Sequence, residues 1–282
     1  MTTLSPTKMK RGKSLPSDPA SKTRTWEKLV LWAVGILLFF LVWKLLSLQL
    51  GRFRLPAPEV VLAGFLPILT FDTTLETQGG GSNGIWPHLL FTIFKVFFGG
   101  GVGIVLGILI GFLISIFRDF RSFSDIPVEI LRVIPPLVII PFLVMWFGPR
   151  LTVQAAMIIF YCALMMIITT VTAIKNLDPI YEKFARTLGA KGSQISFRVV
   201  LPAIIPSVTG GIRVTIGVVW GIAIVSELMG AERGMGVVFM MAMSFQALTL
   251  IIVGIIWTTI VALLTDLLFV QVSRRLTKWA TA

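Results

Sequence analysis

Six apolar runs divide this chain, each long enough as a helix to cross the roughly 30 Å hydrocarbon core of a bilayer. They cover about Leu29–Leu50, His88–Phe117, Pro127–Phe147, Leu151–Ile174, Ser207–Met229 and Leu248–Val270. A soluble domain of 282 residues has no interior large enough for an apolar fraction of 56%, whereas a bundle of membrane helices turns that surface toward lipid. The expected fold is therefore an all-α membrane protein with six transmembrane helices. The formal charge of +12 does not point to nucleic acid, because the lysines and arginines sit in short flanks between apolar runs rather than on a soluble face.

Those flanks orient the bundle. With both termini in the cytoplasm, the inner segments (1–28, 118–126, 175–206 and 271–282) hold 17 Lys and Arg, against 4 in the outer ones (51–87, 148–150 and 230–247). Residues 1–28 form a cytoplasmic tail expected to be disordered, and 29–282 form the transmembrane domain. The first apolar run is longer than a signal peptide's core and no small-residue cleavage site closes it. Residues 51–87, with four prolines and Gly79-Gly80-Gly81, are expected as an external loop carrying a short helix near Pro58–Leu69. Residues 230–247 are apolar but too short and glycine-broken to cross, so a re-entrant or surface-lying segment is expected on the outer side.

Within the spans, Gly99, Gly103, Gly107 and Gly111 recur every four residues and give one helix a smooth face, better suited to close packing than to a pore wall. Arg118–Arg121 should be a cytoplasmic turn, with Asp125-Ile126-Pro127 starting the next helix. Pro135, Pro136 and Pro141 should kink or break the third span, and the freed carbonyls must face protein or a water-filled cavity. Charges inside spans are costly enough to mark function or pairing. Glu129 and Arg132 have the spacing of a same-face pair, Arg213 and Asp266 lie near inner helix ends, and Glu227 has no obvious partner in its own helix. The substrate-pathway candidates are Arg132, Pro135, Pro136, Met145, Trp220 and Glu227, set against plain packing or pairing for each.

The longest polar stretch between spans is Lys175–Pro206, in which five basic residues face only Asp178 and Glu182. Asp178-Pro179 has the form of a helix start, and Gly189 that of a helix stop. A second short helix should end at Leu201-Pro202. Two short helices joined at a glycine bend make a knob that another protein could grip. Catalytic motifs are missing: Gly189-Ala190-Lys191-Gly192 lacks the spacing of a phosphate-binding loop, and His88 has no second ligand at metal-binding spacing. His88 is expected as an interfacial helix-start residue, and Cys162 as a small core hydrophobe.

This loop resembles the permease subunits of ATP-binding-cassette importers of type I (MetI-like) fold. Their signature reads Glu-Ala-Ala, three residues, Gly, nine residues, Ile, any residue, Leu-Pro. Here Lys183-Phe184-Ala185, Gly189 and Val199-Val200-Leu201-Pro202 occupy those places, with Lys183 where the family has glutamate and Glu182 one position earlier. The resemblance extends over about residues 55–279 and narrows to the nitrate, sulfonate, taurine and bicarbonate group through Arg132–Pro136, Trp146-Phe147-Gly148, Ser226-Glu227-Leu228 and Arg233–Gly236. The end of the chain, Arg274–Trp279, looks most like taurine permeases.

The resemblance implies a multi-pass protein of the bacterial cytoplasmic membrane, paired with a second, identical permease subunit. It implies two ATP-binding subunits gripping Lys183, Phe184, Ala185, Gly189, Leu201 and Pro202, and an extracytoplasmic solute-binding protein delivering the anion. ATP and Mg would be bound by those partners and no cofactor by this chain. ATP binding would drive the pair outward-open, and hydrolysis would reset it. A secondary transporter and a structural membrane protein are the competing classes. The first is weakened by the absence of a visible internal repeat.

Overall fold

The computed structural model describes residues 20–51 and 53–276, and the regular elements among them are helical. The chain forms two compact units, one ending at Pro58 and one beginning at Glu59. In the first, α1 (Ala20–Leu50) carries the first apolar run. It begins inside the segment expected as tail, so residues 20–28 are helical, while 1–19 lie outside the described residues. No Gly or Pro separates Ala20 from the apolar run, and each residue added to an existing helix gains a hydrogen bond. Beyond α1 the chain folds back on it: Trp43 Nε1 donates to the Pro56 carbonyl at 3.1 Å and the Ser47 hydroxyl to that of Leu55 at 2.9 Å.

The segment expected as an external loop holds three short helices, α2 (Pro58–Gly64), α3 (Pro67–Thr70) and α4 (Thr73–Thr77). Asp72 caps α4 by accepting the N–H groups of Thr74 and Leu75. Phe65 stacks on Trp257, whose indole N–H donates to the Phe65 carbonyl at 2.9 Å.

Helix α5 (Trp86–Ile116) lies along α8 (Leu151–Lys175), and the glycine stripe is their contact. A Cβ at Gly103 would stand 2.5 Å from Cys162 Cβ, and one at Gly111 2.9 Å from the Ile167 carbonyl. At Gly107 it would strike the Ala163 backbone. The stripe serves close packing, as expected. Cys162 is fully buried in the cluster around Ile158, Val219 and Ala223.

The third span departs most from expectation. Helix α6 (Arg118–Val133) starts where a turn was expected and runs through Pro127, so position 125 lies within the helix rather than at its start. Apolar residues at 120, 123, 126, 130 and 133 keep a helical period across that proline, and the helix follows the stripe. The break comes at Ile134 and Pro135, both extended, before α7 (Pro136–Phe147). Two successive prolines remove two donors and force the preceding residue out of the helical region. Between Val133 and Val138 the axis turns by 96°. With 12 residues, α7 is only about 18 Å long, so neither half crosses alone. Gly148, at φ +77°, ends it with its N–H on the Val144 carbonyl.

After α8 come α9 (Pro179–Thr187), α10 (Gly192–Ile195), a π-helical turn over Ser196–Val200, α11 (Leu201–Leu228), α12 (Met235–Ser244) and α13 (Leu248–Leu276). Pro202 does not end a helix. Gly192–Leu228 is one helical stretch of 37 residues. The π-turn explains this, because Leu201 N–H bonds the Ser196 carbonyl five residues back, and the widened turn accepts a ring that would clash with a carbonyl four residues back. Helix α12 has 10 residues, too few to cross a bilayer, and is buried at Met235, Gly236, Val237, Val238 and Ala242.

Among the described residues five helices are long and apolar enough to cross a membrane, and the α6–α7 pair counted as one makes six. The α2–α4 segment, bent by 42°, is a second such pair. Gly107→Ala should lower the thermal stability of the solubilised protein by about 1–3 kcal/mol, the usual range for overpacking. Gly101→Ala, whose Cβ meets nothing within 4 Å, should leave it unchanged or slightly raised, and thermal unfolding of the two variants side by side checks both.

Candidate functional site

The loop at 175–206, expected on the cytoplasmic side, is built from local chemistry. Asp178 accepts the Ile180 N–H at 2.9 Å and Pro179 opens α9. At the other end Gly189 N–H bonds the Arg186 carbonyl at 3.0 Å and Ala190 N–H bonds that of Ala185 at 3.1 Å, the paired bonds of a Schellman motif. Gly189 has φ +82° with no atom near its missing Cβ, so backbone geometry rather than space demands glycine. Lys191 N–H then bonds Gln194 Oε1 at 2.8 Å as α10 starts.

Burial sorts this loop into two faces. Ala185, Ile195, Val200 and Ile204 pack with Met166 and Ala173, which fixes the knob to the inner ends of α8 and α11. Ile180, Phe184 and Leu188, four residues apart, stand exposed beside Tyr181, and Lys183 is exposed as well. Leu201 and Pro202 are half-buried at the root of α11. A short helix showing an apolar stripe with basic residues around it suits the groove of a partner protein.

The pathway candidates do not converge on one cavity. Arg132 pairs with Glu129 at 2.7 Å on the exposed surface of α6, Pro135 is at the α6–α7 break, and Pro136 starts α7. Met145 is exposed on α7. Trp220 is buried, its indole N–H donating to Thr265 Oγ1 at 3.2 Å. Arg213 meets Asp266 on α13 through two nitrogens, Nε at 2.9 Å from Oδ1 and the terminal nitrogen at 2.9 Å from Oδ2, so these two form a bidentate clamp rather than separate anchors.

Glu227 is fully buried and lies 2.5 Å from Lys95 Nζ, a residue of α5 that is only 2% exposed. Lys95 also donates to Gln154 Oε1 on α8 at 2.9 Å and sits 4.9 Å from the centre of the Phe91 ring. The other carboxylate oxygen accepts Gly236 N–H at 2.9 Å. Thr92 gives its hydroxyl proton to the carboxylate, 2.9 Å from Oε1, and accepts Met235 N–H at 2.9 Å. His88 completes the network. Its Nδ1 receives Gly234 N–H at 3.2 Å, so the ring proton is on Nε2, which donates to the Gly80 carbonyl at 2.8 Å. His88 is thus a buried connector at the start of α5 rather than an interfacial residue.

The glycines of the Arg233–Gly236 turn have a steric reason: a Cβ at Gly236 would stand 2.5 Å from Glu227 Cβ, and one at Gly234 would strike the carboxylate. Lys95 escaped the sequence reasoning, although a lone lysine inside an apolar run was the signal that could have found it. Lys95→Met leaves a carboxylate buried without its cation and should cost about 3–5 kcal/mol of stability. The pair replacement Lys95→Met/Glu227→Met should cost less than the two single changes together, as read by thermal unfolding. Glu227→Gln should lower the yield of folded protein at least as much as transport per folded molecule.

The family model described as the binding-protein-dependent transport system inner membrane component matches residues 103–278. The chain is 29% identical over 238 residues to the taurine transport system permease protein of Escherichia coli K12, covering 84% of each chain. It is 29% identical over 274 residues to a permease protein assigned to aliphatic sulfonate transport in Bacillus subtilis 168, covering 94% of this chain and 95% of that one. The nitrate import permease protein of Synechococcus elongatus is 28% identical over 210 residues, 73% of each chain. Among solved structures, the inward-facing MetNI methionine ABC transporter superposes with a TM-score of 0.57 at 20% identity, over 68% of this chain and 95% of that one, which is a likeness of fold. The chain therefore belongs to the family of binding-protein-dependent transport system inner membrane components, as a multi-pass, non-catalytic permease subunit of an ABC importer.

Proposed function

We propose that this permease carries a small organic sulfonate, taurine first, from an extracytoplasmic binding protein into the cell. The observation that carries the reading is the taurine permease relative, aligned over 84% of both chains. A nitrate cargo is the second reading, favoured by the nitrate permease relative over 73% of each. Two copies of the chain enclose the pathway, and two ATPase subunits, which bind ATP and Mg, grip α9. The exposed stripe Ile180, Phe184 and Leu188 supports that docking, and so does the continuous helix from Gly192 to Leu228, which ties the loop to the far end of the bundle. On this reading Lys183, Phe184, Ala185, Gly189, Leu201 and Pro202 form the coupling surface and its root, while Arg132, Pro135, Pro136 and Met145 border the pathway on α6 and α7.

Uptake by membranes containing the complete complex tests the cargo. Taurine or a short alkanesulfonate should enter in an ATP-dependent manner, and a complex that moves nitrate while ignoring every sulfonate would sink the reading. Phe184→Asp should strip the ATPase subunit from a permease that still folds, seen as loss of co-purification. Gly189→Val forces a branched side chain into a left-handed backbone position at about 1–2 kcal/mol and should lower the cargo moved per ATP hydrolysed. An unchanged ratio in the assembled variant would remove Gly189 from coupling.

A further inference from the structure

We infer that a cavity at the outer end of the second unit is an anion-receiving site, where a sulfonate or similar oxyanion head group lands before it enters the pathway. The inference rests on the anionic cargo proposed above. The cavity, of about 600 Å³, lies where the start of α5, the start of α8 and the chain just after α11 come together. Positive charge from two separate segments reaches its rim: Arg150 from the α7–α8 turn and Arg233 from the α11–α12 turn, against the single carboxylate of Glu232. Among the described residues neither guanidinium is matched with a carboxylate, in contrast to Arg132, Arg213 and Lys95.

The floor supplies a second kind of donor. Gln154 is 3% exposed and lines the cavity. Its Oε1 is taken by Lys95, an obligate donor, so the amide is fixed with its NH2 group toward the Pro149 carbonyl at 3.4 Å. An amide nitrogen carries two protons and that contact is long, which leaves donor capacity at the floor. Leu151 and Thr152 open a 25-residue helix here, and its first-turn N–H groups add positive potential to the same space. Phe91 and Leu151 provide apolar wall for a short carbon chain. Two guanidinium groups, a buried amide donor and an apolar side match a small organic anion with a planar or tetrahedral oxygen head. The buried Lys95–Glu227 pair holds this floor in place, so the outer network has a use beyond stability: it orients Gln154.

The test uses the complete importer in lipid nanodiscs. Cys162 is buried, so Leu151→Cys at the cavity rim supplies the one thiol accessible within the described residues. Modification by the anionic reagent sulfonatoethyl methanethiosulfonate should outrun that by its trimethylammonium counterpart, and methanesulfonate should slow it. Adding Arg150→Gln/Arg233→Gln should lower the anion-to-cation rate ratio about tenfold, the lower end of focusing by a charged cleft. The same double variant without the cysteine should lose most of its maximal uptake, with half-saturation and association of the binding protein unchanged. A rate ratio indifferent to the arginines, or no protection by methanesulfonate, overturns the site. Loss of binding-protein association also overturns it, because the arginines would then be holding that protein's carboxylates. If the anion signature appears but no sulfonate is transported, the site stands and the cargo reading falls.

Discussion

A lysine and a glutamate buried in an apolar bundle must find each other, because neither charge has another way to offset its lost hydration. Lys95 and Glu227 do so at 2.5 Å, and the outer end of the second unit is arranged around that meeting. The pair joins α5 to α11, Gln154 brings in α8, and the N–H groups of Gly234, Met235 and Gly236 bring in the start of α12. The small residues of that turn follow from the pair, since no side chain fits between the backbone and the carboxylate. An apolar substitute at Glu227 alone would leave the Lys95 charge and the donors of Thr92 and Gly236 without that acceptor, and one at Lys95 alone would leave the carboxylate charge and the Gln154 Oε1 acceptor without their donor.

The inner end is organised in the opposite way. There the determinants are short-range: an aspartate and a proline start α9, and a left-handed glycine closes it two residues after its last turn. What this local chemistry builds is displayed rather than hidden, with Phe184 and Leu188 facing outward while Ala185 is turned in. One end of the bundle is thus closed on itself and the other presents a shaped surface.

That contrast explains what was legible in the sequence. The cap at Asp178, the stop at Gly189 and the packing stripe from Gly99 to Gly111 depend on residues within a few positions of each other, and all three are in place. Glu227 could be recognised as a charge needing a partner, but its partner lies more than a hundred residues earlier, among phenylalanines. The pairing of Arg213 with Asp266 was hidden for the same reason. Proline misled twice in one direction, since Pro127 and Pro202 lie within helical stretches, the second absorbed by a π-turn. Pro135 and Pro136 broke their span because two in succession leave no helical register to resume. Composition made the crossings visible, whereas the angle of the turn between α6 and α7 depends on how the two halves pack, which no local pattern encodes.

The widened turn at Ser196–Val200 has a mechanical consequence. By letting the helix continue past Pro202, it makes Gly192–Leu228 a single strut about 55 Å long, rooted beside the exposed α9 at one end and carrying Glu227 near the other. Pivoted at either end, such a strut moves its far tip by about 1 Å for each degree of tilt. A small rotation of whatever grips the inner knob would arrive at the outer rim as a displacement the size of a hydrogen bond or more.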